Sequence, residues 1–373
     1  MAVTMATTAA IARFSPFYRQ QLADNGRREL TLDGLRGLAA LMVMVHHIAV
    51  GRLWLQTDDW KNAGAALPQL FGPVGVILFF MLTGCLFWGK ARAAKGWLNP
   101  LKLWRGRFYR IAPLYLSSVI LILLVATIFQ GTEWLSPANW QSLLRLFGLG
   151  AFSWHTVGQV YPGEYNANVI WTLQYEWWFY LLLPFIAWLT MARKFWTPPI
   201  AILVLMVAGF CLDLWLPAGV YFICGMLGSE LLSVPNVREK LQRPTSAVIA
   251  LGISVIAYGL TRNQIPETGP GDLLAMICLP IFLVAAGGNS FFGLLTLPAT
   301  RCLGTISFSL YLLHGIAITL VGLALKKAGL GMIPAVQFWL LFVPVAVVIT
   351  GFCAATYRRV EFPFLNRSHK AQT

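Results

Sequence analysis

Residues 35–50 read LRGLAALMVMVHHIAV, an apolar run interrupted only by Arg36, His46 and His47. Eleven helical residues turn through about 1100°, three turns and about 20°, so Arg36 and His47 share one face of a helix. They lie about 16 Å apart along its axis, and His46 falls about 80° off that face. If the helix crosses a bilayer, Arg36 stands at one mouth and His47 near mid-depth. Ionisable side chains inside hydrocarbon are costly, and they turn to a bundle interior or a cavity and mark a functional path. His47 is therefore the candidate reactive group, with His46 its structural neighbour.

Composition extends that reading to the whole chain. Of 373 residues, 58% are hydrophobic and 11% charged, and the mean hydropathy is +0.67. A soluble domain carries about 25% charged residues, so this composition is that of an integral membrane protein. Apolar runs of spanning length recur near residues 34–53, 70–89, 109–130, 167–190, 198–213, 215–233, 246–261, 272–289, 303–325 and 336–356. Continuous runs of this kind predict an all-α, polytopic membrane helix bundle of about ten transmembrane helices, not a barrel.

The net charge of +14 reflects topology rather than nucleic-acid binding. With the N-terminus assigned to the cytoplasm, 21 of the 28 Lys and Arg residues fall on the cytoplasmic side and 6 outside, Arg36 being counted on neither. That bias predicts N-in and C-in. Lys326 and Lys327 are an adjacent basic pair on the unfavoured side. The organisation follows: a cytoplasmic N-terminal segment over 1–30, a membrane domain over 31–363 and a cytoplasmic tail over 364–373. The first 30 residues lack the apolar core and cleavage site of a secretory signal. Amphipathic character over residues 6–22 predicts a segment lying on the membrane surface. The cysteines Cys85, Cys211, Cys224, Cys278, Cys302 and Cys353 lie in or beside apolar runs. Without close-spaced ligand pairs they read as packing residues, and neither a disulfide framework nor a metal site is expected.

Several polar constellations interrupt the apolar background. The stretch KLWRGRFYRIAPLY places Arg107 and Arg110 three residues apart at the cytoplasmic entrance of the third run. With Arg36 they suit a polyphosphorylated ligand, or they serve topology and lipid headgroups. In VIWTLQYEWWFYLLLP, Thr172, Glu176 and Tyr180 share a face, with Trp171 beside them. Glu176 lies near mid-membrane, where it either pairs with His47 to handle a proton or hydrogen-bonds across helices as glue. In LGTISFSLYLLHGIAI, Ser307, Tyr311 and His314 form a polar stripe. His314 is a second proton-handling group, a donor to substrate, or a satisfied interhelical contact. Gly75 and Gly84 in GPVGVILFFMLTGCLFW permit close helix approach around a cavity wall. Glu361 in YRRVEFPF is expected to pair locally with Arg358 and Arg359. The outer segment 131–166 is rich in Trp, Leu and Phe and ends in a Gly/Pro/Asn loop; it is either an interface anchor or the place where an acceptor is held. No serine-hydrolase elbow, phosphate-binding glycine loop or metal-binding His cluster is present.

Taken in order, LTLDGLRGLAALMVMVHH, GVILFFMLTG, RFYRIAPLY, WTLQYEWWFYLLLP, LGTISFSLYLLH and VEFPF resemble the acyltransferase 3 family of bacterial membrane O-acyltransferases. The resemblance covers residues 31 to about 363. It implies a ten-helix fold that takes acyl groups, mostly acetyl, from cytoplasmic acyl-CoA and delivers them to an acceptor hydroxyl on the outer side. It carries the family's essential Arg and His onto Arg36 and His47, its Arg-x-x-Arg element onto Arg107 and Arg110, and its acidic residue onto Glu176. Trp171, Thr172, Ser307, Tyr311 and His314 fall in its substrate- or pore-lining motifs. The chain departs from the common pattern at Thr83 and Thr172, which stand in place of Ser, at Phe308 in place of Tyr, and at Ile77 in place of a polar residue. The fused C-terminal hydrolase-like domain of larger relatives is not present in the sequence, so a self-sufficient enzyme or a partner protein is expected.

The expected mechanism has His47 as general base towards the acceptor hydroxyl, with Glu176 holding its tautomer and stabilising the imidazolium. An acyl-enzyme route is equally compatible with the sequence. The expected partners are acyl-CoA as donor substrate, a glycan or lipid-linked sugar acceptor such as an exopolysaccharide, and membrane lipids. No bound cofactor, metal or nucleic acid is expected. The rival class is a proton-coupled transporter using His and Glu as a relay; it should show inverted repeats or broken helices in matching halves, which the sequence lacks.

Overall fold

The computed structural model describes residues 1–23, 29–58, 60, 64, 66–132, 134, 136–152, 156–157, 161–192, 218–262 and 272–370. The run at 198–213, with Arg193 and Lys194 before it, lies outside the described residues. Everything else that spans is helical. The helices are α1 Ala2–Phe14, α2 Pro16–Ala23, α3 Leu30–Thr57, α4 Ala66–Ala93, α5 Pro100–Gln130, α6 Trp140–Leu146, α7 Pro162–Tyr165 and α8 Trp171–Ala187. They continue as α9 Gly219–Leu231, α10 Val237–Gln242, α11 Pro244–Thr261, α12 Asp272–Ala286, α13 Pro298–Thr305, α14 Ser307–Lys327, α15 Ala335–Thr356 and α16 Phe362–Lys370.

Among the described residues six helices are long and apolar enough to cross a membrane: Leu30–Thr57, Leu67–Ala93, Pro100–Phe129, Pro244–Thr261, Ser307–Lys327 and Ala335–Arg367. The runs read at 215–233 and 272–289 form helices of 13 and 15 residues, shorter than the ~20 residues a bilayer core requires. The run at 303–325 is broken near Ile306 into α13 and α14. Apolar side chains such as Val255, Ile256, Leu260, Ile128 and Val348 stand more than half exposed. A surface this greasy belongs in lipid, because water would not tolerate patches of this extent.

α3 is the central element, packed by α4, α13 and α14, while α9 lies along α4. Glycines set these close approaches. A Cβ on Gly75 would stand 2.7 Å from Ala39 O, and one on Gly84 only 2.1 Å from Phe222 O, so α4 meets α3 and α9 backbone to backbone, as the glycine spacing predicts. Gly84→Ala is therefore expected to destabilise by about 1–3 kcal/mol through forced separation of α4 and α9. Gly252→Ala, where nothing lies within 4 Å, should be neutral or mildly stabilising. Thermal melting of the detergent-purified variants checks both.

The N-terminal segment is held to the bundle. α1 is docked against α13 and α15 with Thr4, Thr8 and Ala12 buried. The Tyr18 hydroxyl donates to Ala354 O at 2.6 Å, and Arg301 Nη2 donates to Leu22 O. The small Thr and Ala residues that weaken its amphipathicity are what let α1 pack closely. Cys85, Cys224, Cys278, Cys302 and Cys353 are buried and unpaired, as packing residues.

Candidate functional site

One end of the bundle gathers the N-terminal turns of α3, α5 and α14, the C-terminal turns of α4, and the middle of α8. α5 begins sharply: the Asn99 side chain accepts from Lys102 N at 3.0 Å and Pro100 occupies the first turn, a pairing of side-chain cap and proline that starts helices well. That start sets the register that turns Arg107 and Arg110 inward. The result is a cavity of about 470 Å³ lined by Arg36, Lys90, Arg107 and Arg110, by Asp33 and Glu176, by the hydroxyls of Thr83, Thr172, Ser307 and Tyr311, and by Phe79, Phe80, Phe87 and Phe308. Residues from five separate sequence motifs thus face one space.

The cations differ in how they are balanced. Arg36 bonds to Asp33 at 3.0 Å. Arg110 bonds to Glu361 at 3.0 Å, and that carboxylate is 1% exposed. Arg107 instead stacks over the rings of Phe87 and Tyr180, with its guanidinium carbon 4.8 and 5.4 Å from the ring centroids. Lys90 lies 4.8 Å from the Phe87 centroid. Among the described residues no carboxylate forms an ion pair with Arg107 or Lys90. A cavity wall with two such cations, next to hydroxyl donors, is built for an anion.

Glu361 was expected to pair with Arg358 and Arg359. The structure gives it to Arg110 and to the Ser309 hydroxyl instead. The cause is local: residues Tyr357–Glu361 form a π turn, whose wider winding rotates Glu361 into the bundle. Arg358 turns away and lies over the Phe17 ring. Phe308 also gains a role without its hydroxyl, since the Arg110 guanidinium lies 5.2 Å from its centroid. At the opposite end of α14, Lys326 bonds to Asp58 and lies over Trp54. One of the two unfavoured lysines is thereby neutralised.

Beyond the cavity, Tyr311 links two environments. Its hydroxyl donates to Val169 O at 3.0 Å and lies 3.0 Å from Thr172 Oγ1. Its ring lies 6.4 Å from that of His314. His314 Nε2 is 2.9 Å from His47 Nδ1, and His314 Nδ1 is 2.7 Å from Leu310 O. His46 turns the other way, with Nδ1 2.9 Å from Pro68 O, in keeping with a structural role.

The predicted site residues thus separate into two groups. Arg36, Arg107, Arg110, Thr172, Glu176, Ser307 and Tyr311 share the cavity. His47 and His314 form a pair adjoining Tyr311 outside the cavity lining, and Trp171 packs against Phe80 and Tyr175. The expected partnership of His47 with Glu176 is not formed: Glu176 accepts from the Tyr180 hydroxyl at 2.9 Å on the arginine side, and the imidazole meets a second imidazole. A residue not singled out from sequence is Asn166. It is 0% exposed, packs against Gly315, and neither polar atom of its amide has a partner among the described residues. The segment carrying it folds back into the bundle, with Thr319 donating to Glu164 O. By contrast, Trp140, Leu144 and Phe147 of the 131–166 segment are exposed.

The structure is that of a helical membrane protein with a cationic cavity at one end and a pair of imidazoles beyond it. The chain belongs to the acyltransferase 3 family, whose model, described as an acyltransferase domain, matches residues 29–358. It is similar to the exopolysaccharide production protein ExoZ of Rhizobium meliloti (strain 1021), with 27% identity over 311 residues that cover 79% of this chain and 90% of that protein. No solved structure matches it.

Proposed function

We propose that the chain is a membrane O-acyltransferase that binds acyl-CoA in the cationic cavity and acylates a hydroxyl of a glycan or lipid-linked sugar at the opposite face. The observation that carries this reading is the pair Arg107 and Lys90, cations held over aromatic rings in the cavity wall and, among the described residues, in no ion pair with a carboxylate. Phosphates of CoA suit them, and Arg36 and Arg110 lie in the same wall. The cavity mouth is cytoplasmic in this reading, consistent with the 21-to-6 distribution of basic residues. The CoA arm then runs about 16 Å, the rise from Arg36 to His47, past Thr172 and Tyr311 to bring its thioester to the imidazole. Acetyl is the proposed acyl group. The likeness to an exopolysaccharide production protein supports an exopolysaccharide or its lipid-linked precursor as acceptor, and the bacterial inner membrane as the location.

In the direct route His47 removes the proton of the acceptor hydroxyl as its oxygen attacks the thioester carbonyl. The carbon–sulfur bond breaks, and the imidazolium returns the proton to the departing thiolate. Glu176, hydrogen-bonded to Tyr180 beside the arginines, holds the cavity wall in order.

Arg107→Ala tests the donor site. Hydrogen bonds to charged groups are worth about 1.5–3 kcal/mol each, so KM for acetyl-CoA is expected to rise about tenfold or more with kcat little changed. S-acetylpantetheine, which lacks the nucleotide phosphates, should be used equally poorly by wild type and variant. Equal losses with both donors would refute phosphate binding at this wall.

A further inference from the structure

We propose that His314 is a positioning residue that locks His47 in the tautomer whose Nε2 is free to take a proton. The inference rests on the reading of His47 as the base, and it follows from a chain of hydrogen bonds whose direction is forced. A carbonyl oxygen only accepts, so the 2.7 Å contact with Leu310 O requires the proton of His314 on Nδ1. A neutral His314 then carries its lone pair on Nε2. That atom lies 2.9 Å from His47 Nδ1, so Nδ1 of His47 must donate. In neutral His47 the remaining lone pair is on Nε2, directed away from the pair.

Burial divides the labour between the two rings. His314 is 0% exposed and is closed off by its own helix, by His47 and by the Tyr311 ring. It presents no surface to a substrate. His47 retains accessible surface, so it is the ring a hydroxyl can reach. The arrangement is the nucleophile–base–orienter logic of hydrolases with a neutral imidazole and a main-chain carbonyl where a carboxylate usually stands. When His47 takes the acceptor's proton on Nε2, its Nδ1–H bond to His314 persists and strengthens, and no proton needs to move to His314. The proton on Nε2 is then returned to the thiolate. Sequence spacing had placed a carboxylate in this position; the structure places a residue of α14, and the fixed bond to Leu310 O means that the helix backbone itself sets the tautomer.

The two side-chain amides separate positioning from packing. The amide oxygen of Gln reaches about the position of His Nε2 and can accept from His47 Nδ1–H, whereas that of Asn reaches only the Nδ1 position. Thiol release from acetyl-CoA would be measured with membranes of cells expressing full-length His314→Gln, His314→Asn, His314→Leu and His47→Ala, with CoA-dependent melting of the purified proteins as the measure of folding. Expected is a loss of kcat of about 10²-fold for His314→Leu and His314→Asn, with KM for acetyl-CoA within about twofold of wild type, and recovery of at least tenfold in His314→Gln. Equal kcat for the Gln and Asn variants would overturn the inference, as would an unchanged kcat in a folded His314→Leu protein. Should His314→Leu fail to fold, the Gln-to-Asn contrast decides alone. An active His47→Ala protein would overturn the base assignment itself. An inactive His47→Ala beside a fully active His314→Leu would overturn only the role of His314.

Discussion

His47→Ala is expected to lower turnover of acetyl-CoA by about 10²–10⁴-fold, the range associated with loss of a positioned general base, while CoA binding is retained. Binding survives because His47 does not line the cavity that holds the arginines. The loss belongs to chemistry and not to folding: the hydrogen bond that His314 Nδ1 makes with Leu310 O stays in place when the His47 ring is removed. His46→Ala is the matched control. That ring bonds to Pro68 O and fills the space beside Gly72, so its removal should leave kcat within a few-fold and lower the melting temperature instead. Steady-state kinetics with monodisperse protein, together with CoA titration, separates the two. Near-normal turnover in folded His47→Ala protein would end the assignment.

Arg110→Ala is expected to act quite differently from Arg107→Ala, although the two arginines belong to one motif. Removing the guanidinium of Arg110 leaves Glu361 buried with Ser309 and no cation bonded to it among the described residues, and stranding one member of a buried ion pair costs about 3–5 kcal/mol. The variant should therefore lose most of its folded yield before any donor effect is measurable. Arg110→Ala combined with Glu361→Gln removes both charges and should recover much of the stability, because the uncompensated charge is gone. Size-exclusion profiles and melting curves of the single and double variants decide the point. If Arg110→Ala folds as well as Arg107→Ala does, Glu361 is not held by that pair.

Much of this was legible in the sequence because it concerns single helices. Period and spacing place Arg36, Arg107 and Arg110 near one membrane end, and they place Thr172 with Glu176 and Ser307 with Tyr311 on common faces. Apolar length separates spanning helices from loops, and the glycine at 84 announces close approach to a neighbour. What spacing cannot supply is the rotation of one helix against another. His47 and Glu176 lie at comparable depth in their spans, which made them natural partners; α3 nonetheless turns His47 towards α14, where His314 waits, and Glu176 faces the arginines. Depth alone does not identify a partner. Glu361 was misplaced for a related reason, since a π turn is invisible to a 3.6-residue period and reverses which side of the helix faces inward. Asn166 sits in a loop without periodicity. Its signal is three-dimensional: a buried amide without a hydrogen-bond partner among the described residues.

The most direct test of acyl transfer across the bilayer uses isotope-labelled acetyl-CoA with membrane vesicles of known sidedness from cells making the chain and its glycan. In the proposed orientation inside-out vesicles present the Arg36, Arg107 and Arg110 face to the added donor. The expected result is incorporation of label into the glycan or lipid-linked sugar fraction from inside-out vesicles, none from sealed right-side-out vesicles, and none from either with His47→Ala. Incorporation from right-side-out vesicles alone, or label transfer that survives loss of His47, would contradict a donor cavity on the cytoplasmic face feeding a single imidazole.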